Sequence, residues 1–391
     1  MKINQWTLGL AAVGVVSLAS AVKADESTMN AVQTALSSTT ISGYVDTSVE
    51  WNLGNKDNSA HNYIPFRNGK SDGFNLNVVK LTIEKPMDES EWAAGYKVDL
   101  LFGPDAVGYN ASVDSSYTQY NYYNGYSGAD FGIKQAYVAL RTPVGNGIDW
   151  KVGVFDTTIG YETFESGNNP NFSRSWGYAI EPTEHTGILG TYRVNDIVSV
   201  AAGVANTLSP GINNRPNPDY ISGETWHKTY LASVALTAPQ DLGFLSGSTL
   251  YAGVVGGLNN GGDTTESGAD QVNYYAGATL NTPVTGLKAG LAFDYVQNAG
   301  GIDKSNQWML GAYASFQATE KLSLHGRAEY GKAVAMDEHT DGNLTELTGT
   351  VQYDLWKNVI SRVELRWDEA YVKNDFTDSS VGLFANLIYK F

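Results

Sequence analysis

From Ile41 to the end of the chain, apolar and polar residues alternate with a period of two. The last stretch, Val381 to Phe391, reads VGLFANLIYKF. Val381, Leu383, Ala385, Leu387, Tyr389 and Phe391 share one face, and Gly382, Phe384, Asn386, Ile388 and Lys390 share the other. A period of two is that of a β-strand and not of a helix. The same pattern predicts strands over residues 41–52, 74–85, 92–102, 132–142, 149–158, 186–194, 197–206, 229–238, 248–258, 271–281, 286–297, 307–318, 321–331, 344–355, 359–369 and 380–391. Their connections alternate strictly between short and long. Tight ones include Asn195-Asp196 and Thr319-Glu320; long ones include 53–73, 103–131, 158–185 and 207–228. Turns at one end and loops at the other, with an even strand number of about sixteen, predict an all-β, antiparallel up-and-down transmembrane barrel.

Charge fixes which face points inward. In strand 359–369, Arg362, Glu364, Arg366 and Asp368 share one face, opposite Val359, Ser361, Val363, Leu365 and Trp367. An Arg facing lipid near the midplane costs about 2–4 kcal/mol, so the charged face belongs in the lumen. By the same argument Ser323, His325, Arg327 and Glu329 point inward, as do Lys288 and Asp294, and Lys97 and Asp99. A solid soluble core would not bury so many ionisable groups. Trp51, Trp92, Phe102, Trp150, Tyr230, Trp308, Tyr353, Trp356, Trp367, Tyr389 and Phe391 fall near strand ends, as the aromatic girdles of a barrel do.

The start of the chain is different. Lys2, an apolar run from Leu8 to Leu18 and small residues up to Ala24 read as a signal peptide over residues 1–24. Cleavage is expected after Ala24, with Ala21 as the alternative. Residues 25–40 read as a polar periplasmic lead-in, and 41–391 as the barrel. No apolar run reaches the roughly 18 residues of a spanning helix. There is no cysteine, so stability must come from packing or sheet closure. The net charge is −16, from 25 Lys+Arg against 41 Asp+Glu. Loss of Lys2 and Lys23 with the leader leaves 23 against 41, or −18. Such a chain repels nucleic acid.

Several stretches in order, FNLNVVKLTIEKP (74–86), VDLLFGPDA (98–106), IKQAYVAL (133–140), KVGVFDTTIGYE (151–162), and SGNNPNFSRSW, EHTGILGTY and RVND within 166–196, resemble the OmpL-like beta-barrel porin-2 family. The resemblance is densest over residues 74–206. It implies an outer-membrane diffusion pore for small hydrophilic solutes or ions, with no cofactor and no catalytic residues. The partners implied are outer-membrane lipid and lipopolysaccharide, with the last strand (Leu387, Tyr389, Phe391) as the signal read by the barrel assembly machinery. A homotrimer fits a barrel of this size by analogy. The alternative reading is a secreted or surface all-β carbohydrate-binding or adhesive protein.

The third long loop, 158–185, carries Glu162, Glu165, Arg174, Glu181, Glu184 and His185. Either it stays outside as a solvated loop, or it folds into the barrel as a constriction. In the second case its acids face wall residues such as Lys97, Lys151, Arg193, Arg327, Arg362 and Arg366, with Asp99, Glu329 and Glu364 among the other pore-lining candidates. Opposed charges of this kind set ion selectivity. Loop 103–131 is rich in tyrosine, which stacks on sugars or on itself. Residues 259–270 (NNGGDTTESGAD) read as a flexible loop rather than a Ca²⁺ site. The five histidines have no metal-ligand spacing, and no metal site is expected.

Overall fold

The computed structural model describes residues 38–54, 64–67, 69–109, 131–208, 211–213, 228–258, 270–302, 304–334, 341–372 and 377–391. The leader, most of the lead-in, most of the tyrosine-rich loop and residues 259–269 lie outside the described residues. Sixteen strands follow one another: β1 (Thr40–Asn52), β2 (Gly73–Lys85), β3 (Ala94–Phe102), β4 (Phe131–Thr142), β5 (Ile148–Asp156), β6 (Glu184–Arg193), β7 (Val198–Ala205), β8 (Thr229–Thr237), β9 (Thr249–Leu258), β10 (Asp270–Asn281), β11 (Leu287–Gln297), β12 (Gln307–Gln317), β13 (Leu322–Val334), β14 (Asp341–Tyr353), β15 (Val359–Val372) and β16 (Thr377–Lys390). Each pairs antiparallel with its sequence neighbours, and β1 closes on β16. No helix among the described residues is long and apolar enough to cross a membrane.

Closure uses the end of the chain. Tyr44 lies opposite Lys390 and Asn52 opposite Gly382. Phe391 N–H donates to the Gly43 carbonyl at 2.9 Å, and Gly43 N–H donates back to the Phe391 carbonyl at 3.0 Å. A sheet closed in this way leaves no edge with unpaired backbone groups, which is what crossing a hydrocarbon layer demands. A side chain at Gly43 would run into the Phe391 ring.

The alternation places charge inside and hydrocarbon outside. On β15, Glu364 and Arg366 are 0% exposed, whereas Val363 is 55% and Leu365 51% exposed. Arg327, Glu329, Asp99 and Asp294 are buried inside in the same way, while Leu291, Phe293, Leu310, Leu324 and Leu347 stand exposed on the outer wall. Aromatic pairs sit at the long-loop ends of the strands: Tyr274 with Tyr295, and Trp308 with Tyr330. Trp92, Tyr353, Trp356 and Tyr389 are exposed at the short-turn ends.

Two bulges interrupt the alternation. On β2 the register slips where Asp46 faces Val78 and Thr47 faces Leu76. On β4 it slips where Asp99 faces Gln135 and Leu100 faces Ile133. In each bulge two consecutive residues turn inward and are buried: Asn77 with Val78, and Lys134 with Gln135.

Candidate functional site: the lumen and its inner loop

The connection from β5 to β6, residues 157–183, does not stay outside. It contains a 3-10 turn (Ser166–Asn168) and a short helix, α2 (Trp176–Ile180), which follows an equally short helix α1 (Pro104–Gly108) in chain order. It crosses the lumen and touches walls on opposite sides.

Its first leg packs on an uncharged wall. Ile159 sits in one apolar cluster with Leu189, Leu231, Val255, Tyr275 and Tyr313. Tyr161 stacks on Tyr313 with ring centroids 4.1 Å apart. Any side chain at Gly290 on β11 would overlap the Tyr161 hydroxyl, so glycine there makes room for the loop.

The middle of the loop is held on a charged wall, largely through its backbone. Glu364 accepts the Phe172 and Ser173 N–H groups at 2.5 and 2.9 Å. Glu329 accepts those of Trp176 and Gly177 at 2.7 and 3.0 Å. Glu162, from the loop itself, accepts Ser175 N–H at 2.8 Å and the Arg327 guanidinium at 2.8 Å. Three carboxylates thus hold five amides of one short segment. Arg327 also pairs with Glu346 at 3.1 Å and donates to the Ser173 carbonyl at 2.7 Å. Arg362 donates to the Ser166 and Asn169 carbonyls at 2.7 and 3.0 Å. Arg366 donates to the Arg174 carbonyl at 2.5 Å and pairs with Asp368, which accepts the Trp176 indole N–H at 2.7 Å. Ser166 donates to Asp46 at 2.7 Å.

Glu165 reaches the far side of this wall, where it pairs closely with Lys80 and lies 3.4 Å from Lys134. Its burial would raise its pKa, but Lys134 and Lys80 more than reverse that and hold the carboxyl well below the usual range. At the end of the loop Glu181 shows the opposite shift. Burial, then Asp294, Glu162 and Glu329, push its carboxyl well above the usual range. A second loop contributes Arg67, which pairs with Glu50 and lies 4.3 Å over the Phe172 ring.

Of the wall cations expected to face loop acids, Arg327 meets one, Glu162, whereas Arg362 and Arg366 meet loop carbonyls. Lys97, Lys151 and Arg193 stand elsewhere. Lys97 lies 3.8 Å from Asp99, and Lys151 lies 5.0 Å over the Tyr137 ring. Arg193 pairs with Asp196 at a short turn, 2.7 Å away. Asp99 takes Lys80 at 3.0 Å, and Arg174 binds the carbonyls of Thr163, Phe164 and Phe172. Glu184 is buried at the start of β6, and Leu387 and Tyr389 face outward. Sequence reasoning missed Lys80, Lys134, Glu346 and Asp46. For Lys134 there was a signal: strict alternation puts it on the lipid side, at a cost that only a bulge removes.

The profile of the beta-barrel porin-2, OmpL-like family matches residues 38–391. The chain belongs to that family. No curated protein sequence matches it. Among solved structures, this porin-2 chain is similar to the outer membrane channel DcaP of Acinetobacter baumannii, at 12% identity and TM-score 0.57, over 90% of this chain and 97% of that one. It is similar to an anion-selective porin from Comamonas acidovorans, at 12% identity and TM-score 0.57, over 90% and 99% of the two chains. It is also similar to OmpT, an outer membrane protein of Vibrio cholerae in its trimer form, at 14% identity and TM-score 0.53, over 90% and 99%. At these identities the likeness is one of fold.

Proposed function

We propose that this protein is an outer-membrane porin that lets small hydrophilic solutes and ions diffuse passively, with loop 157–183 setting the width of the passage. The observation that carries this reading is the inward-folded loop held across a charged lumen, inside a closed barrel with an apolar outer wall. The apolar wall also argues against a secreted binding protein, because water would have to solvate it. The same reading assigns export to the leader at 1–24 and contact with outer-membrane lipid and lipopolysaccharide to the outer wall. Recognition by the assembly machinery falls to the strand ending at Phe391, and the functional assembly is a homotrimer.

A barrel enzyme is the weaker reading. His325 has Ser323 at 2.9 Å and Ser315 at 2.8 Å on its two ring nitrogens. Among the described residues both ring nitrogens are taken by serines and no carboxylate orients the ring, as a nucleophilic triad requires, and the group faces the lumen rather than lipid.

Planar-bilayer recording of the refolded chain tests the pore. Discrete conductance steps are expected. Deletion of residues 165–176 should raise the single-channel conductance, because those residues supply most of the loop's wall contacts. An unchanged step size would remove the loop from the passage.

A further inference from the structure

We infer that the passage prefers anions, although the chain as a whole is strongly acidic; the inference rests on the diffusion-pore reading above. The short-turn half of the lumen carries a band of cations. Lys97, Lys151 and Arg362 are each the fourth residue of their strands, Lys288 is the second of β11 and Lys390 the last of β16. Four lie in the first four residues of strands that follow short turns, Lys390 lies beside the turn before β15, and all five lie on inward-facing positions of the sheet.

Among the described residues only Lys97 of the five has a carboxylate within ion-pair distance, and that carboxylate is shared; Glu84 stands across from it on β2. Lys97 comes no nearer to Asp99 than 3.8 Å, and Asp99 already holds Lys80 at 3.0 Å. The Lys151 ammonium faces the Tyr137 ring. Lys288 is exposed. Arg362 and Lys390 reach the underside of the loop and find carbonyls there: those of Ser166 and Asn169 for Arg362, and that of Gly167, at 3.2 Å, for Lys390. The inward acids at this level are Glu84 and Asp354; Arg141 and Asp149 cancel each other at 2.6 Å.

The carboxylates above the band are more numerous, but the ones that hold the loop are occupied. Glu364, Glu329 and Glu162 accept loop amides. Asp46 accepts Ser166, Asn77 and Asn386. Glu165, Asp99, Glu346 and Asp368 are in ion pairs. A passing cation has to displace protein donors before it can bind any of them. A passing anion meets cations held by carbonyls or an aromatic ring, or, at Lys288, exposed, and binding it need not break a close ion pair. A ring of one sign in a low-dielectric channel concentrates the opposite ion.

The test is the reversal potential of the full chain in a planar bilayer under a potassium chloride gradient. The chloride-to-potassium permeability ratio should exceed unity. It should fall towards unity at high salt, because the screening length drops from about 10 Å at 0.1 M to about 3 Å at 1 M. Lys97→Gln with Lys151→Gln should lower the ratio, and Lys97→Glu with Lys151→Glu should reverse it. Lys288→Glu, at an exposed position that any folded barrel tolerates, should lower it independently. A cation-preferring wild type, or a ratio that none of these variants moves, overturns the inference and leaves the pore intact. Silence from both the wild type and the 165–176 deletion, in barrels shown to be folded by heat-modifiable mobility, overturns the pore reading itself.

Discussion

Arg327 shows how single residues hold the inner loop. It is buried against Glu162 and Glu346, at 2.8 and 3.1 Å, with Glu329 at 3.8 Å. Removing one partner of a buried ion pair costs about 3–5 kcal/mol, because the remaining charge is stranded. Arg327→Ala should therefore lower the urea midpoint of the barrel markedly, and Arg327→Lys should restore only part of it, since a single ammonium cannot serve both carboxylates and the Ser173 carbonyl. A midpoint unchanged by Arg327→Ala would mean the loop is not held there. The two ends of the loop answer to pH in opposite directions. Glu165 is depressed, so its anchor is present above its unfolded pKa and is lost as pH falls through the folded value. Glu181 is raised and faces Asp294, Glu162, Glu329 and Tyr275, so its contribution is full below its unfolded pKa and is lost as pH rises through the folded value. Glu181→Gln should flatten the alkaline limb of a pH series of melting temperatures and leave the acid limb alone. An alkaline limb that stays as steep in this variant would assign the loss to another group.

At the scale of elements, the strands were legible because lipid and water impose opposite demands on alternate residues. Arg362, Glu364, Arg366 and Asp368 in one register leave a single choice of face, and that choice propagates through the ladder to β14 and β16. The ends of the long hairpins were less legible. β13 to β16 continue past the expected limits, to Val334, from Asp341, to Val372 and from Thr377, where the pairing goes on beyond the apolar band. The bulge on β4 was hidden for another reason: it adds one residue without changing composition, and only the misplaced charge of Lys134 betrays it. The loop's destination was half legible. Its acids were visible, but four of its wall contacts run through backbone amides, which leave no trace in residue identity. That is why Glu364 and Glu329, placed in the lumen from charge alone, turn out to hold the loop's backbone amides.

For the whole molecule, the outer wall decides where the barrel resides. Leu365 lies midway along β15, 51% exposed, between two inward charges that are fully buried. If lipid covers this wall, Leu365→Arg places a guanidinium near the midplane at a cost of about 2–4 kcal/mol. Ala235 is half-buried on the inward face of β8, on the uncharged side of the lumen. Ala235→Arg puts the same group into a water-filled space at much smaller cost. Urea titration of both variants refolded into lipid vesicles compares the two faces directly. The expected result is a large loss for Leu365→Arg and a small one for Ala235→Arg. Equal losses would mean that the lumen beside β8 is as dry as the outer wall, and the passage would then have to run along the charged side, past Lys97 and Arg362. A small loss at Leu365 with a large one at Ala235 would place water outside and apolar surroundings inside, which the buried charges of β15 make energetically untenable for a folded barrel.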